Sequence, residues 1–133
     1  MLNEEQHKLS EEQQNILNAT KTGYNVIVDA VAGTGKTTLI LAIAKELSDK
    51  KVLQITYNKS LKFEVREKTK EQNIENLTIH TYHSLAVCYY LCTAHVDNEI
   101  KKIVINKTTP SRKIPEFDML VIDEAQDMTL LYY

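Results

Sequence analysis

The stretch Ala30-Val31-Ala32-Gly33-Thr34-Gly35-Lys36-Thr37 constrains this chain more than any other. An apolar run, Val26-Ile27-Val28, leads into it, and a helix-forming run, Thr38-Leu39-Ile40-Leu41-Ala42-Ile43-Ala44, leads out. Strand, glycine-bearing turn, then a helix opening on Gly-Lys-Thr is the layout of a P-loop. A polyphosphate needs many donors at close range. The backbone N–H groups of a tight turn and a helix N-terminus supply them, and the helix dipole favours negative charge there. Gly33 and Gly35 let the backbone curl without a Cβ in the way. Lys36 is placed to reach the β- and γ-phosphates, and the Thr37 hydroxyl to sit on Mg²⁺. Ala30 stands where the first glycine is commonest, and its side chain is small enough for the turn. The candidate nucleotide-contacting set is Ala30, Val31, Ala32, Gly33, Thr34, Gly35, Lys36, Thr37 and Thr38. A glycine-rich turn without a ligand is the competing account, and the flanking strand and helix weigh against it.

A second feature answers the first. Phe117-Asp118-Met119-Leu120-Val121-Ile122 reads as an apolar strand that ends on Asp123-Glu124-Ala125-Gln126-Asp127. Asp123 is a candidate to hold, usually through water, the same Mg²⁺ as Thr37. Glu124 would orient and deprotonate an attacking water. Lys36, Asp123 and Glu124 are thus the catalytic candidates. Taken alone, two adjacent acids could simply favour a helix N-terminus, but their pairing with a P-loop makes the chemical reading the stronger.

The rest of the chain alternates strands with helices. A first helix opens at Leu9-Ser10-Glu11-Glu12-Gln13-Gln14, where Ser10 and Gln13 have capping-box spacing. Gln13 could instead project to a nucleotide base, since an amide pairs with both donor and acceptor edges of adenine. Tyr24 to Asp29 is expected as the first strand, and Lys36 to Leu47 as a largely buried helix. Val52 to Tyr57 is a second strand, followed by a charged helix from about Leu61 to Lys70 in which Glu64 and Lys68 are spaced to pair. Leu77 to Thr81 is a third strand, and Tyr82 to about Ala94 a helix carrying Leu85, Cys88, Tyr89 and Cys92. Short connections between alternating elements predict a parallel α/β sheet flanked by helices. Between Asp97 and Glu116 the pattern weakens. Ile103-Val104-Ile105 reads as a short strand, and Lys101, Lys102, Lys107, Arg112 and Lys113 make the segment basic. Such a loop either touches phosphates or is simply solvated, the more frequent case.

With 133 residues the chain is one domain or part of one. No stretch approaches the roughly 20 apolar residues of a membrane span, and Met1-Leu2-Asn3-Glu4-Glu5 lacks a signal-peptide layout. An intracellular setting with no membrane partner is therefore expected. A net charge of −2 does not by itself argue for nucleic acid. Cys88, Cys92 and His95 share a helical face, but structural zinc usually draws on Cys-x-x-Cys loops, so core cysteines are the better account.

These residues carry a family resemblance. Asp123-Glu124-Ala125-Gln126-Asp127 resembles motif II of superfamily 1 helicases of the UvrD/Rep/PcrA type, and the P-loop is similar to their motif I. Leu9-Ser10-Glu11-Glu12-Gln13 resembles the Q motif and tilts Gln13 towards adenine recognition. Tyr57-Asn58-Lys59-Ser60 looks like motif Ia and Thr81-Tyr82-His83-Ser84-Leu85-Ala86 like motif Ib, both spelled as in the F-box DNA helicase branch. Five motifs occur in order along nearly the whole chain.

The resemblance implies a RecA-like P-loop NTPase fold, incomplete, in which residues 1–133 form the N-terminal part of the first motor domain. Residues 97–116 would be a short basic insert in place of the usual accessory domain. It implies an ATP-dependent DNA helicase that uses ATP and Mg²⁺ and steps along single-stranded DNA. Carried onto this chain, the strand-lining residues are Tyr57, Asn58, Lys59, Thr81 and His83, an aromatic for stacking with polar and cationic groups for backbone oxygens. Each has a plain structural alternative, as a strand end, a solvated helix start or a helix-start histidine. Gln126 and Asp127 would link the γ-phosphate to the strand site. Motifs III to VI are absent, and Arg66 and Arg112, the two arginines of the chain, lie outside the family's arginine motifs. An arginine finger is worth about 10³–10⁵ in turnover. The chain alone is therefore expected to bind ATP·Mg²⁺, hydrolyse it feebly and leave duplex intact, with a separate chain carrying the remaining motifs as a candidate partner. The implied location is the nucleus in a eukaryote and the cytoplasm otherwise. Two other classes compete: a nucleotide-gated binding module that takes no DNA, and a small-molecule kinase, which would need an arginine-bearing lid.

Overall fold

A computed structural model describes residues 8–31, 35–90 and 94–130 of the chain. Two compact units divide it, Met1–Leu47 and Ser48–Tyr133.

In the first unit, α1 (Glu11–Lys21) starts from Ser10, which is extended and whose side-chain oxygen accepts the Gln13 N–H at 3.2 Å. Glu11 and Glu12 in its first turn and Lys21 in its last complement the helix dipole. The second helix, α2 (Lys36–Glu46), buries Leu39, Ile40, Leu41, Ile43 and Ala44. Those residues occupy most of its circumference, as expected for a helix read as nearly apolar all round. Lys21 and Glu46 pair at 3.3 Å, but both side chains are about half exposed, so the contact contributes little, roughly 0–1 kcal/mol.

The expected strand at Tyr24 to Asp29 is not formed. Residues 24–31 carry no strand, with Ile27 98% exposed and Val28 and Val31 also exposed. Apolar, β-branched residues suit a pleated surface, but an extended segment becomes a strand only when a neighbouring backbone accepts its hydrogen bonds. Among the described residues no strand runs alongside this one.

The second unit is built on three strands, β1 (Val52–Thr56), β2 (Leu77–Thr81) and β3 (Met119–Ile122), in the order β2-β1-β3. Both ladders are parallel. Ile55 stands opposite His80 on one side and Ile122 on the other. The central strand is buried along most of its length, as its apolar run predicts. Asp118 starts β3 by bonding both ways to Lys51, its carboxylate accepting the Lys51 N–H at 2.8 Å.

Between β1 and β2 runs α3 (Lys59–Glu71), which packs on both strands and buries Lys62, Val65 and Thr69. Asn58 caps it, accepting from the Ser60 N–H at 2.8 Å. The expected Glu64–Lys68 pair forms at 2.7 Å. After β2 come α4 (Tyr82–Tyr89), capped by Thr81, and α5 (Asp97–Ile105). The two helices share a small core of Ala86, Ala94, Ile100 and Ile103, with Tyr82, Val87 and Tyr90 against it.

The short strand read at Ile103-Val104-Ile105 is instead the end of α5. Ile100 and Ile103 are buried and Val104 and Ile105 exposed, a spacing of three that fits a helix face. Three β-branched residues in a row looked like a strand locally, but the partner surface on α4 selects the helical period. The segment 97–116 is accordingly part helix rather than a loop throughout. Cys88 is partly buried, as a core-helix cysteine would be, while Cys92 lies outside the described residues.

Candidate nucleotide and strand sites

Gly35 is the residue on which the opening of α2 in the first unit depends. It is the N-cap of α2 with φ 86° and ψ 25°, a left-handed conformation that suits glycine. No side chain caps this helix and no acid stands in its first turn, in contrast to α1. The N-terminus of α2 is thus left with its dipole uncompensated and with Lys36, Thr37 and Thr38 in the first turn. Lys36 and Thr37 are half-buried and Thr38 exposed. This is the arrangement that receives an anion. Ala30 and Val31 precede the turn, whereas Ala32, Gly33 and Thr34 lie outside the described residues.

Gln13 does more than the sequence suggested. Its Oε1 accepts the Ser10 N–H at 2.9 Å, completing the capping box, while its Nε2 donates to the Gly35 carbonyl at 3.2 Å. One amide therefore caps α1 and tethers the turn that opens α2. The capping reading and a role beside the P-loop coexist because the two ends of the amide face different partners.

In the second unit the remaining candidates gather at one end of the sheet. Tyr57, Asn58 and Lys59 follow the last residue of β1, Thr81 and His83 lie at the end of β2, and Asp123 and Glu124 follow β3. Parallel register places Thr56 opposite Thr81 and Ile55 opposite Ile122, so three chain segments distant in sequence converge at the carboxyl ends of adjacent strands. That is where open α/β sheets take their ligands.

Asp123 is 8% exposed. Its N–H donates to the Ile55 carbonyl at 2.9 Å, and its Oδ1 accepts the Glu124 N–H at 3.1 Å. Glu124 sits at φ 54° and ψ 46°, left-handed although it has a side chain. Such a conformation costs about 1–3 kcal/mol and concentrates at functional positions. Gln126 donates to the Glu124 carboxylate, and the short 3₁₀ turn Ala125–Asp127 follows.

The strand-lining candidates divide by what they are already doing. Tyr57 is 56% exposed at the end of β1, with an aromatic face open to stacking. The Asn58 oxygen is committed to the α3 cap, and the Thr81 hydroxyl accepts the Ser84 N–H at 3.1 Å. Lys59 is exposed in the first turn of α3. His83 Nε2 lies 2.8 Å from the Asp97 carboxylate, tying α4 to α5.

Two residues that the sequence did not single out, His80 and Lys62, stand beside this set. His80 is held neutral, its pKa pushed down to about 4 by burial and then by Arg66 and Lys62. Its Nδ1 lies 3.0 Å from the Ser84 hydroxyl and its ring meets Tyr89 edge-on. Burial also lowers the pKa of Lys62, with Arg66 and Lys59 adding to the effect. The i, i+3, i+7 spacing of Lys59, Lys62 and Arg66 was the available signal.

A family described as an AAA domain matches residues 13–133. F-box DNA helicase 1 of Gallus gallus is 40% identical over 80 residues, which is 59% of this chain and 8% of that protein. ATP-dependent DNA helicase PIF1 of Candida albicans is 33% identical over 116 residues, 87% of this chain and 12% of that protein. The chain thus spans only a small part of the length of the curated relatives it matches. No solved structure matches significantly.

Proposed function

Since this chain belongs to the AAA domain family, among the superfamily 1 helicases with their RecA-like P-loop fold, we propose that it is the ATP- and DNA-binding part of an ATP-dependent DNA helicase. The observation that carries the nucleotide half is the start of α2. A left-handed Gly35 opens a helix whose first turn holds Lys36, Thr37 and Thr38, with neither a capping side chain nor an acid. That end is electrostatically prepared for a polyphosphate.

In this reading Lys36 neutralises the β- and γ-phosphates, and the backbone of Ala30 to Thr38 cradles them. Magnesium suits the donors on offer. The Thr37 hydroxyl and the Asp123 carboxylate, each taken within its own unit, offer the hard oxygen that Mg²⁺ prefers, and the ion completes its shell from phosphate and water. Bound there, the ion would supply charge stabilisation at the phosphoryl oxygens. Glu124 accepts a proton from the water that attacks the γ-phosphorus, and Gln126, bonded to that carboxylate, holds it in position. Gln13, adjacent to the turn, would read adenine through the N–H and lone pair of its amide that the bonds to Gly35 and Ser10 leave over.

Single-stranded DNA would run across the carboxyl ends of β1 and β2. There Tyr57 supplies a stacking face, and Asn58, Lys59, Thr81 and His83 supply groups for the backbone. The names of both relatives, each a DNA helicase, support DNA as the strand.

The test is calorimetric. Lys36→Ala is expected to abolish the heat of Mg·ATP binding, whereas Glu124→Gln keeps binding and loses residual turnover. Unchanged ATP affinity in the lysine variant would refute the nucleotide assignment. Anisotropy with labelled oligo-dT tests the strand assignment separately.

A further inference from the structure

Lys59, Lys62 and Arg66 share one face of α3, at i, i+3 and i+7. Lys62 is the unusual member. It is 8% exposed, and its Nζ lies 5.0 Å from the centroid of the Phe63 ring. Arg66 donates from Nη2 to the Ile79 carbonyl at 2.6 Å, which holds its guanidinium against β2. His80, the next residue of β2, lies within electrostatic reach of both Arg66 and Lys62. The charged groups acting on Lys62 are Arg66 and Lys59, both cationic. The nearby acid Glu64 is committed to Lys68 at 2.7 Å.

The Lys62 stem is buried while its ammonium group keeps some contact with solvent. With cationic neighbours and no carboxylate paired to it among the described residues, that charge is unfavourable, and a cation–π contact offsets only part of that. The arrangement makes sense when an anion completes it. Position identifies which anion. Lys62 stands in the first turn of α3, just beyond β1, and His80 pairs with Ile55 near the end of β2. The cluster therefore adjoins Tyr57, Asn58 and Lys59.

We propose that Lys62, with Lys59, Arg66 and His80 around it, forms a phosphate subsite that takes a backbone phosphate of the bound single strand. The source of the phosphate rests on the strand-binding reading above, while the oxyanion chemistry stands apart from it. Tyr57 would stack a base while Lys62 holds a phosphate of the same strand, a pairing of aromatic platform and cation common to single-strand grooves.

The experiment is an anisotropy titration of the full chain with labelled oligo-dT between about 50 and 200 mM salt. Lys62→Met is expected to weaken binding roughly tenfold at low salt. It should also make the slope of log K against log[salt] shallower by about 0.7, the value of one lost phosphate contact. Tyr57→Ala should weaken binding with the slope unchanged. An unaltered slope in Lys62→Met overturns the proposal. Should the wild-type chain bind no oligo-dT, the strand reading fails and inorganic phosphate decides the site. A saturable shift of the His80 ring resonances, lost in Lys62→Met, upholds an oxyanion site, and no shift overturns it. Replacing the Lys62 charge with an apolar chain of similar length should not lower the melting temperature. If that variant nevertheless does not fold, Lys62→Gln carries the same slope test.

Discussion

Replacing Gly35 with alanine tests the local structure on which the nucleotide assignment rests. Two costs can be read from the geometry. At φ 86° an alanine is forced into the left-handed region, for about 1–2 kcal/mol. A Cβ there would also lie 2.7 Å from Gln13 Nε2, too close to coexist with it. The obstacle is the end of a flexible side chain, so Gln13 can swing aside, but its bond to the Gly35 carbonyl is then lost, for about 1 kcal/mol. The expected total is roughly 2–3 kcal/mol, by sum of those two figures. Urea denaturation of Gly35→Ala, Gln13→Ala and the double variant separates the parts. With Gln13 already truncated, the glycine substitution should cost only its backbone share, leaving a coupling of about 1 kcal/mol between the two sites. Strict additivity would refute the tether between α1 and the turn, and a cost near zero would refute the left-handed conformation itself.

Other expectations follow from the second unit. Thr56 is wholly buried, and its hydroxyl finds no hydrogen-bond partner among the described residues. Thr56→Val should therefore stabilise the protein by about 1 kcal/mol in a denaturant titration, and a loss would show that the hydroxyl is satisfied. His80 has a folded pKa of about 4 against an ordinary value of 6.5. The unfolded chain thus binds more protons between those values, so stability should fall as pH drops from 6.5 towards 4 and stay level above. His80→Gln should flatten that part of the profile, and parallel profiles for the two proteins would contradict it. Thr81→Ala should cost about 1 kcal/mol through loss of the α4 cap, with Thr81→Ser restoring it in the same thermal melt.

Much of this protein was legible from residues that are neighbours in the chain. The Ser10–Gln13 capping box and the Glu64–Lys68 pair depend on groups within one helical turn, and both formed as expected. The Asn58 and Thr81 caps are equally local, although the sequence reading did not single them out. The three strands that did form, and their parallel pairing, followed from apolar runs alternating with helical periods. The opening of α2 was readable for a related reason: the left-handed Gly35 and the helix that Lys36 and Thr37 begin are set by neighbours in the chain.

What only tertiary structure decided were the features that need a distant partner. Val26-Ile27-Val28 has the composition of a strand, yet strand formation requires another backbone alongside, and among the described residues none supplies it. Ile103-Val104-Ile105 became helix because a surface on α4 rewarded burial of Ile100 and Ile103. The second hydrogen bond of Gln13 reaches a glycine far along the chain. Lys62 reads as one more solvated lysine until α3 lies against β1 and β2 and covers its aliphatic stem. Local pattern sets which conformations a segment prefers, whereas burial, and the electrostatics that burial amplifies, exist only once remote segments meet.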